Sequence, residues 1–134
     1  MKPQISVEER VRQLLKKDSR YDRDAYEFIS NALTFTLSHS PKEPKRKHVT
    51  GQELSEGIRQ YALQEFGPLA REVLRHWGLN ATDDFGEIVY NLIEIGLMGK
   101  SDEDRREDFH NVFDLDTAFE EGFHIQLTEE ELEL

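Results

Sequence analysis

Bulky apolar residues recur every three to four positions through most of the chain, which is the spacing of amphipathic helices. Val7, Val11, Leu14 and Leu15 share one face behind Ser6-Val7-Glu8-Glu9. That opening reads as a capping box, because a Ser hydroxyl and a Glu carboxylate three residues on satisfy each other's free backbone donors. Lys16 and Lys17 suit the negative end of the helix dipole. A second helix is predicted from about Asp22, with Ala25, Phe28, Ile29, Ala32, Leu33, Phe35 and Thr36 at helical spacing. The pattern then breaks at Ser38–His48, where Pro41 and Pro44 forbid a regular helix. Thr50-Gly51-Gln52-Glu53 is a second capping box, and Leu54, Ile58, Tyr61 and Ala62 form the face behind it. Phe66-Gly67-Pro68 is a sharp break with Pro68 placed for the first turn of the next helix, which carries Leu69, Val73, Leu74 and Trp77 and closes at Gly78.

The most apolar helix follows. Thr82-Asp83-Asp84 offers cap oxygens, and Phe85, Ile88, Val89, Leu92, Ile93, Ile95 and Gly96 span an arc wide enough to predict a central place in the core. Glu87, Asn91 and Glu94 share its polar face. Ser101-Asp102-Glu103-Asp104 is read as the cap of a further helix bearing Phe109, Val112 and Phe113, followed by a turn at Ala118-Phe119. Phe123–Leu127 alternates apolar and polar residues and reads as a strand, with the short His48-Val49 segment as its only obvious partner. The expected fold is mostly α: an irregular single-domain bundle of five or six helices over residues 1–127, with at most a very small β element. It includes a basic, Pro-containing loop at residues 38–49 and is followed by an acidic tail at 128–134. The alternative is a winged-helix-like α+β arrangement with Ile88–Gly96 as its third helix and a hairpin wing behind it.

Composition sharpens this picture at three points. Apolar residues at 37% and charged residues at 34% are an unusual balance, and the eight Phe, four Tyr and one Trp supply the large side chains that let so charged a chain fold. The absence of cysteine removes disulfides, thiolate metal sites and thiol catalysis, and fits a cytoplasmic protein. No apolar run approaches the roughly 18 residues needed to span a bilayer, and Met1-Lys2-Pro3-Gln4 leads into no secretory h-region, so no membrane partner is expected.

The net charge of −11 is distributed unevenly. Residues 1–50 carry 11 Lys/Arg and 7 Asp/Glu, whereas residues 101–134 carry 2 and 13. An acidic C-terminal third repels phosphate backbones, yet leaves room for a local basic contact in the N-terminal half. That contact would be the loop containing Lys42, Lys45, Arg46, Lys47 and His48, the leading candidate for partner binding. Its plainer role is a solvated loop that balances the acidic third. No aromatic residue interleaves with these cations, so base stacking is not indicated.

A second cluster joins Asp104, Asp108, His110, Asp114, Asp116 and His124. His110, Asp114 and His124 are the candidate metal ligands, since imidazole and carboxylate suit zinc, iron or manganese. No spacing of the H-E-x-x-H kind supports them, and the Asp residues serve equally well as caps, so no metal and no cofactor is assigned. Glu65 falls on the apolar stripe of Leu54, Ile58 and Tyr61, where it is expected to reach the edge or to pair with Arg71. Trp77 is expected in the core. Asp84-Phe85-Gly86 copies a kinase metal-binding triplet by chance, with no glycine-rich loop or catalytic-loop signature around it.

The stretches His48-Val49-Thr50-Gly51-Gln52-Glu53-Leu54, Phe66-Gly67-Pro68-Leu69-Ala70, Trp77-Gly78, Asp84-Phe85-Gly86-Glu87-Ile88-Val89-Tyr90-Asn91-Leu92 and Glu107-Asp108-Phe109 resemble a small bacterial family of conserved hypothetical proteins described as restricted to Verrucomicrobia and Planctomycetes. The resemblance covers most of residues 7–127. It implies a bacterial, cytoplasmic protein and brings with it no activity, ligand or catalytic residue. Three functions therefore stand at this point: a noncatalytic protein-interaction or regulatory module, a nucleic-acid or ribosome-associated factor using the basic loop, and a metal-assisted enzyme using the His/carboxylate cluster.

Overall fold

In a computed structural model, which describes residues 5–39, 49–99 and 105–120, the chain is mostly helical and has no strand among the described residues. No helix there is long and apolar enough to cross a membrane. Helix α1 (Val7–Lys17) begins at Ser6, whose Oγ accepts the Glu9 amide at 3.1 Å. The other half of the expected capping box does not form, because the Glu9 carboxylate takes Arg12 at 2.6 Å instead. Only the C-terminal part of α1 reaches the interior. Leu14 is buried, while Val7, expected on the apolar face, is 51% exposed in a first turn that projects past the core.

Helix α2 (Arg23–Ser38) is capped by Asp22, and buries Ala25, Tyr26, Phe28, Ile29 and Ala32. Helix α3 (Gly51–Phe66) has the complete capping box expected at Thr50 and Glu53, with both reciprocal bonds near 3.0 Å. These two helices pack against each other closely. A Cβ built on Gly57 would lie 1.8 Å from Thr36 Oγ1 and 2.9 Å from Thr36 Cβ, so the interface requires a residue without a side chain. Gly67–Leu69 forms a 3-10 turn with Pro68 in its first turn, followed by the short α4 (Ala70–His76) and Gly78 at φ +91°.

Helix α5 (Thr82–Glu94) is central, as its apolar arc predicts. Phe85 and Ile88 are fully inaccessible, and Gly86, Val89 and Leu92 are buried. They meet Ile29, Ile58, Leu74 and Leu79, each at 0% exposure. Burying a side chain of this size stabilises the fold by about 1.5–3 kcal/mol. Leu115, at 1% exposure, belongs to the same interior and Ala118 is buried nearby along the chain, so the C-terminal turns contribute to the structural core.

The further helix expected after Ser101–Asp104 is, in its described part, a single 3-10 turn at Arg106–Phe109. It stops because the backbone beyond it is captured from α5. Asp83 Oδ1 accepts the Asn111 amide at 3.1 Å, and Thr82 Oγ1 accepts the Val112 amide at 3.0 Å. Asn111 turns left-handed, at φ +45°. The expected strand Phe123–Leu127 lies outside the described residues, as does His48. Val49 is described and is in no strand.

The polar face of α5 is matched residue for residue. Tyr21 Oη donates to Asp84 at 2.6 Å, Asn91 donates to Asp18 at 3.0 Å and to Tyr26 Oη at 3.1 Å, and Lys17 reaches Glu94 at 2.6 Å. Arg20 grips Asp18 with two bonds of 2.9 and 2.7 Å and touches Glu87 at 3.4 Å. The Arg20 fork holds the Asp18 carboxyl well below the usual carboxylate range, with Asn91 adding to it against the opposing effect of burial. Burial, then the bond to Asp84, pushes the Tyr21 hydroxyl up.

The Asp18 shift carries a sign for acid stability. A depressed folded pKa stabilises the fold fully above the unfolded carboxylate value of about 4 and loses that contribution as pH falls toward the folded value. Asp18→Asn should therefore lower stability at pH 7 and flatten the loss of stability between about pH 4 and pH 2. Urea midpoints measured across that range check this, and equal slopes for both proteins would contradict it.

Candidate functional site

The basic residues Lys42, Lys45, Arg46, Lys47 and His48 lie outside the described residues, as do Asp104 and His124. The structure does place the rest of the His/carboxylate cluster. His110 Nδ1 meets Asp83 Oδ2 at 2.8 Å, and this bond with the Asn111 amide lowers the Asp83 pKa. Asp114 instead organises its own turn, its Oδ1 accepting the Asp116 amide at 2.8 Å and its carbonyl the Ala118 amide at 2.9 Å. Asp108 pairs with Arg105 at 3.2 Å, and Asp116 with Arg71 at 2.9 Å. The His110–Asp83 and Asp116–Arg71 pairs tie these turns to α5 and α4, while the Asp108 and Asp114 bonds stay within their own turns. Among the described residues, no three His, Asp or Glu side chains are grouped to hold a metal ion.

Glu65 reaches the edge as expected, but its partner differs. Arg71 turns to Asp116 and to the Leu79 carbonyl, while the Tyr61 hydroxyl bonds Glu65. Burial first, then that bond and the carboxylate charge, raise the Tyr61 pKa.

Sequence reasoning missed the row of rings along the outside of α2 and α3. Trp77 and Phe66 lie 5.7 Å apart, and both pack on Phe28, at 5.3 and 5.5 Å between ring centroids. Phe28 meets Tyr61 at 5.2 Å, Tyr61 meets Phe35 at 5.2 Å, and Phe35 stacks on His39 at 4.2 Å. Phe28 is buried and His39 exposed, while Phe35, Tyr61, Phe66 and Trp77 are half-buried. Leu69, in the turn after Phe66, is 63% exposed. The signal was present in the spacing. Positions 28, 35 and 39 recur on one face of α2 at seven and four residues, but the stripe reads equally well as interior. Trp77, expected in the core, sits at its margin, because α4 is short and Phe28 and Phe66 cover only part of the indole.

No protein-family model, curated protein or solved structure matches the chain, so residue roles rest on its own geometry.

Proposed function

We propose that the chain is a noncatalytic protein-interaction or regulatory module. It docks another protein through the aromatic row of α2 and α3 and through the basic residues Lys42, Lys45, Arg46, Lys47 and His48, which follow His39 in the chain. The observation that supports this reading is the row itself, with four half-buried rings, exposed His39 and exposed Leu69. Half-buried aromatics are the residues that anchor protein interfaces. The polar face of α5, by contrast, is engaged with its own neighbours and leaves little for a partner.

Residues 42–48 carry four Lys/Arg against one Glu, so the matching partner presents an acidic patch beside an apolar anchor. Protein is favoured over RNA or the ribosome by the tilt of the rings. Planes around Phe28 and Tyr61 meet at 31–50°, and among the ring pairs of the row only Phe35–His39 is stacked, at 26°, so the row offers one stacking ring rather than a series of platforms. The same reading keeps the whole chain as a bundle of five or six helices in a bacterial cytoplasm. The capping signals, the cysteine-free composition and the family resemblance support it. An enzymatic role for His110, Asp114 and His124 has no supporting arrangement among the described residues.

A photo-crosslinking residue at Leu69, introduced into the full chain in cells, tests the docking face. The expected result is one protein captured in stoichiometric yield. That yield should fall at least tenfold both in the Lys45→Ala, Arg46→Ala, Lys47→Ala variant and in Phe35→Ser, with helicity unchanged. Capture indifferent to these changes would overturn the reading. So would RNA in place of protein, bound with the steep salt dependence of a polyphosphate contact.

A further inference from the structure

Helix α2 changes character along its length. Its exposed positions begin charged, with Arg23, Asp24 and Glu27, and become neutral, with Asn31, Thr34 and Ser38. From Phe28 to His39, twelve consecutive residues include no Lys, Arg, Asp or Glu, in a chain that is 34% charged. Burial does not account for this, because Asn31, Thr34, Ser38 and His39 are exposed and Phe35 is only half-buried. Gln64, one turn beyond Tyr61 on α3, is also exposed and uncharged. The solvent face of a helix ordinarily carries charge, whereas the centre of an interface is depleted of it and enriched in rings. The strip is about 16 Å long at 1.5 Å per residue, three turns of helix.

We infer that this neutral strip is where a second copy of the chain docks, α2 against α2 about a two-fold axis. The inference rests on the docking face proposed above and names the molecule which that face meets. Charge selects the occupant. Each copy carries −11, so two copies repel wherever a charged surface meets its own image. A two-fold contact sets the same patch on both sides, and therefore needs a surface with no charge to oppose itself. A partner of opposite charge would gain from charges here and would not require their absence. A two-fold axis across α2 makes the paired helices antiparallel. Asn31 of one copy then faces Ser38 of the other, with Thr34 near the axis. The same pairing sets the exposed acidic start of one α2, with Asp22, Asp24 and Glu27, beside the C-terminal end of the other, which supplies the acidic patch expected of the partner.

Sedimentation of the full chain should give a mass rising to twice 15.7 kDa as concentration increases from micromolar to millimolar. Thr34→Glu and Thr34→Lys each place like charges opposite one another at the axis. Each should weaken self-association at least about tenfold, with helicity unchanged. An equimolar mixture of the two should restore it, because the axis then joins opposite charges. Gln13→Glu, exposed on α1, should change nothing. A single-chain mass at every concentration, variants that associate like the parent, or a mixture no tighter than either variant alone would each overturn the inference. If the chain stays monomeric while a photo-crosslinker at Leu69 captures a different protein, the second copy is refuted and the docking face itself stands.

Discussion

Thr82→Val should cost about 2–4 kcal/mol of stability, although it exchanges a hydroxyl for a methyl of nearly the same shape. Thr82 is completely buried, and its Oγ1 donates to the Phe109 carbonyl at 2.7 Å while accepting the Val112 amide at 3.0 Å. Valine fills the same space and leaves both backbone groups without a partner. Each unsatisfied buried group costs about 1–3 kcal/mol. Thr82→Ser keeps both bonds and loses only a methyl, so it should cost about 1 kcal/mol. Urea denaturation of the three proteins distinguishes the two contributions. A valine variant as stable as the serine variant would show that the hydroxyl bridge contributes little.

Gly57→Ala should destabilise by about 2 kcal/mol, lowering the melting temperature by roughly 5–10 °C. Alanine is the better helix former by about 1 kcal/mol, so propensity alone predicts the opposite sign. Packing wins because the new Cβ would fall 2.9 Å from Thr36 Cβ as well as 1.8 Å from its oxygen. Rotating Thr36 about χ1 moves the oxygen away but cannot move Cβ, so α2 and α3 must separate. Thr36→Gly in the same chain should restore part of the loss, with a coupling of at least about 1 kcal/mol between the two sites. Stabilisation by Gly57→Ala, or additive effects of the two changes, would contradict this packing.

Much of the helical framework was legible from local chemistry. Ser6 and Thr50 each begin the helix that their hydroxyl predicts, the second helix starts beside Asp22 as expected, and Pro68 lies in a 3-10 turn that leads into α4 rather than in the first turn of α4 itself. The wide arc of α5 correctly announced its central position. The errors arise where one residue type serves two ends. Thr82, Asp83 and Asp84 all read as caps for α5. In the fold only Asp84 acts that way, accepting the Asn80 and Ala81 amides at 2.9 and 3.1 Å. Thr82 and Asp83 reach across about 27 residues of chain to hold the Phe109–Val112 turn. No local pattern encodes that diversion, and it is what stops the expected helix at Phe109.

The candidate site was legible only in part. The basic residues stand out by charge alone, because charge clusters are visible without a fold. The aromatic row depends on α3 lying beside α2 so that Tyr61 bridges Phe28 and Phe35. That adjacency follows from Gly57 meeting Thr36, a tertiary fact. Likewise Arg71 could have paired with Glu65 along the chain, yet Asp116 arrives from 45 residues away to take it.

Amide hydrogen exchange of the whole chain tests most directly whether the turns of residues 105–120 are built into the helical core through Thr82 and Asp83. Amides of Val112 and Ala118 should exchange as slowly as those of α5, within one cooperative unit, and all of them should quicken together in Thr82→Val. Exchange of residues 105–120 at the rate of an unstructured chain, beside a fully protected α5, would contradict it.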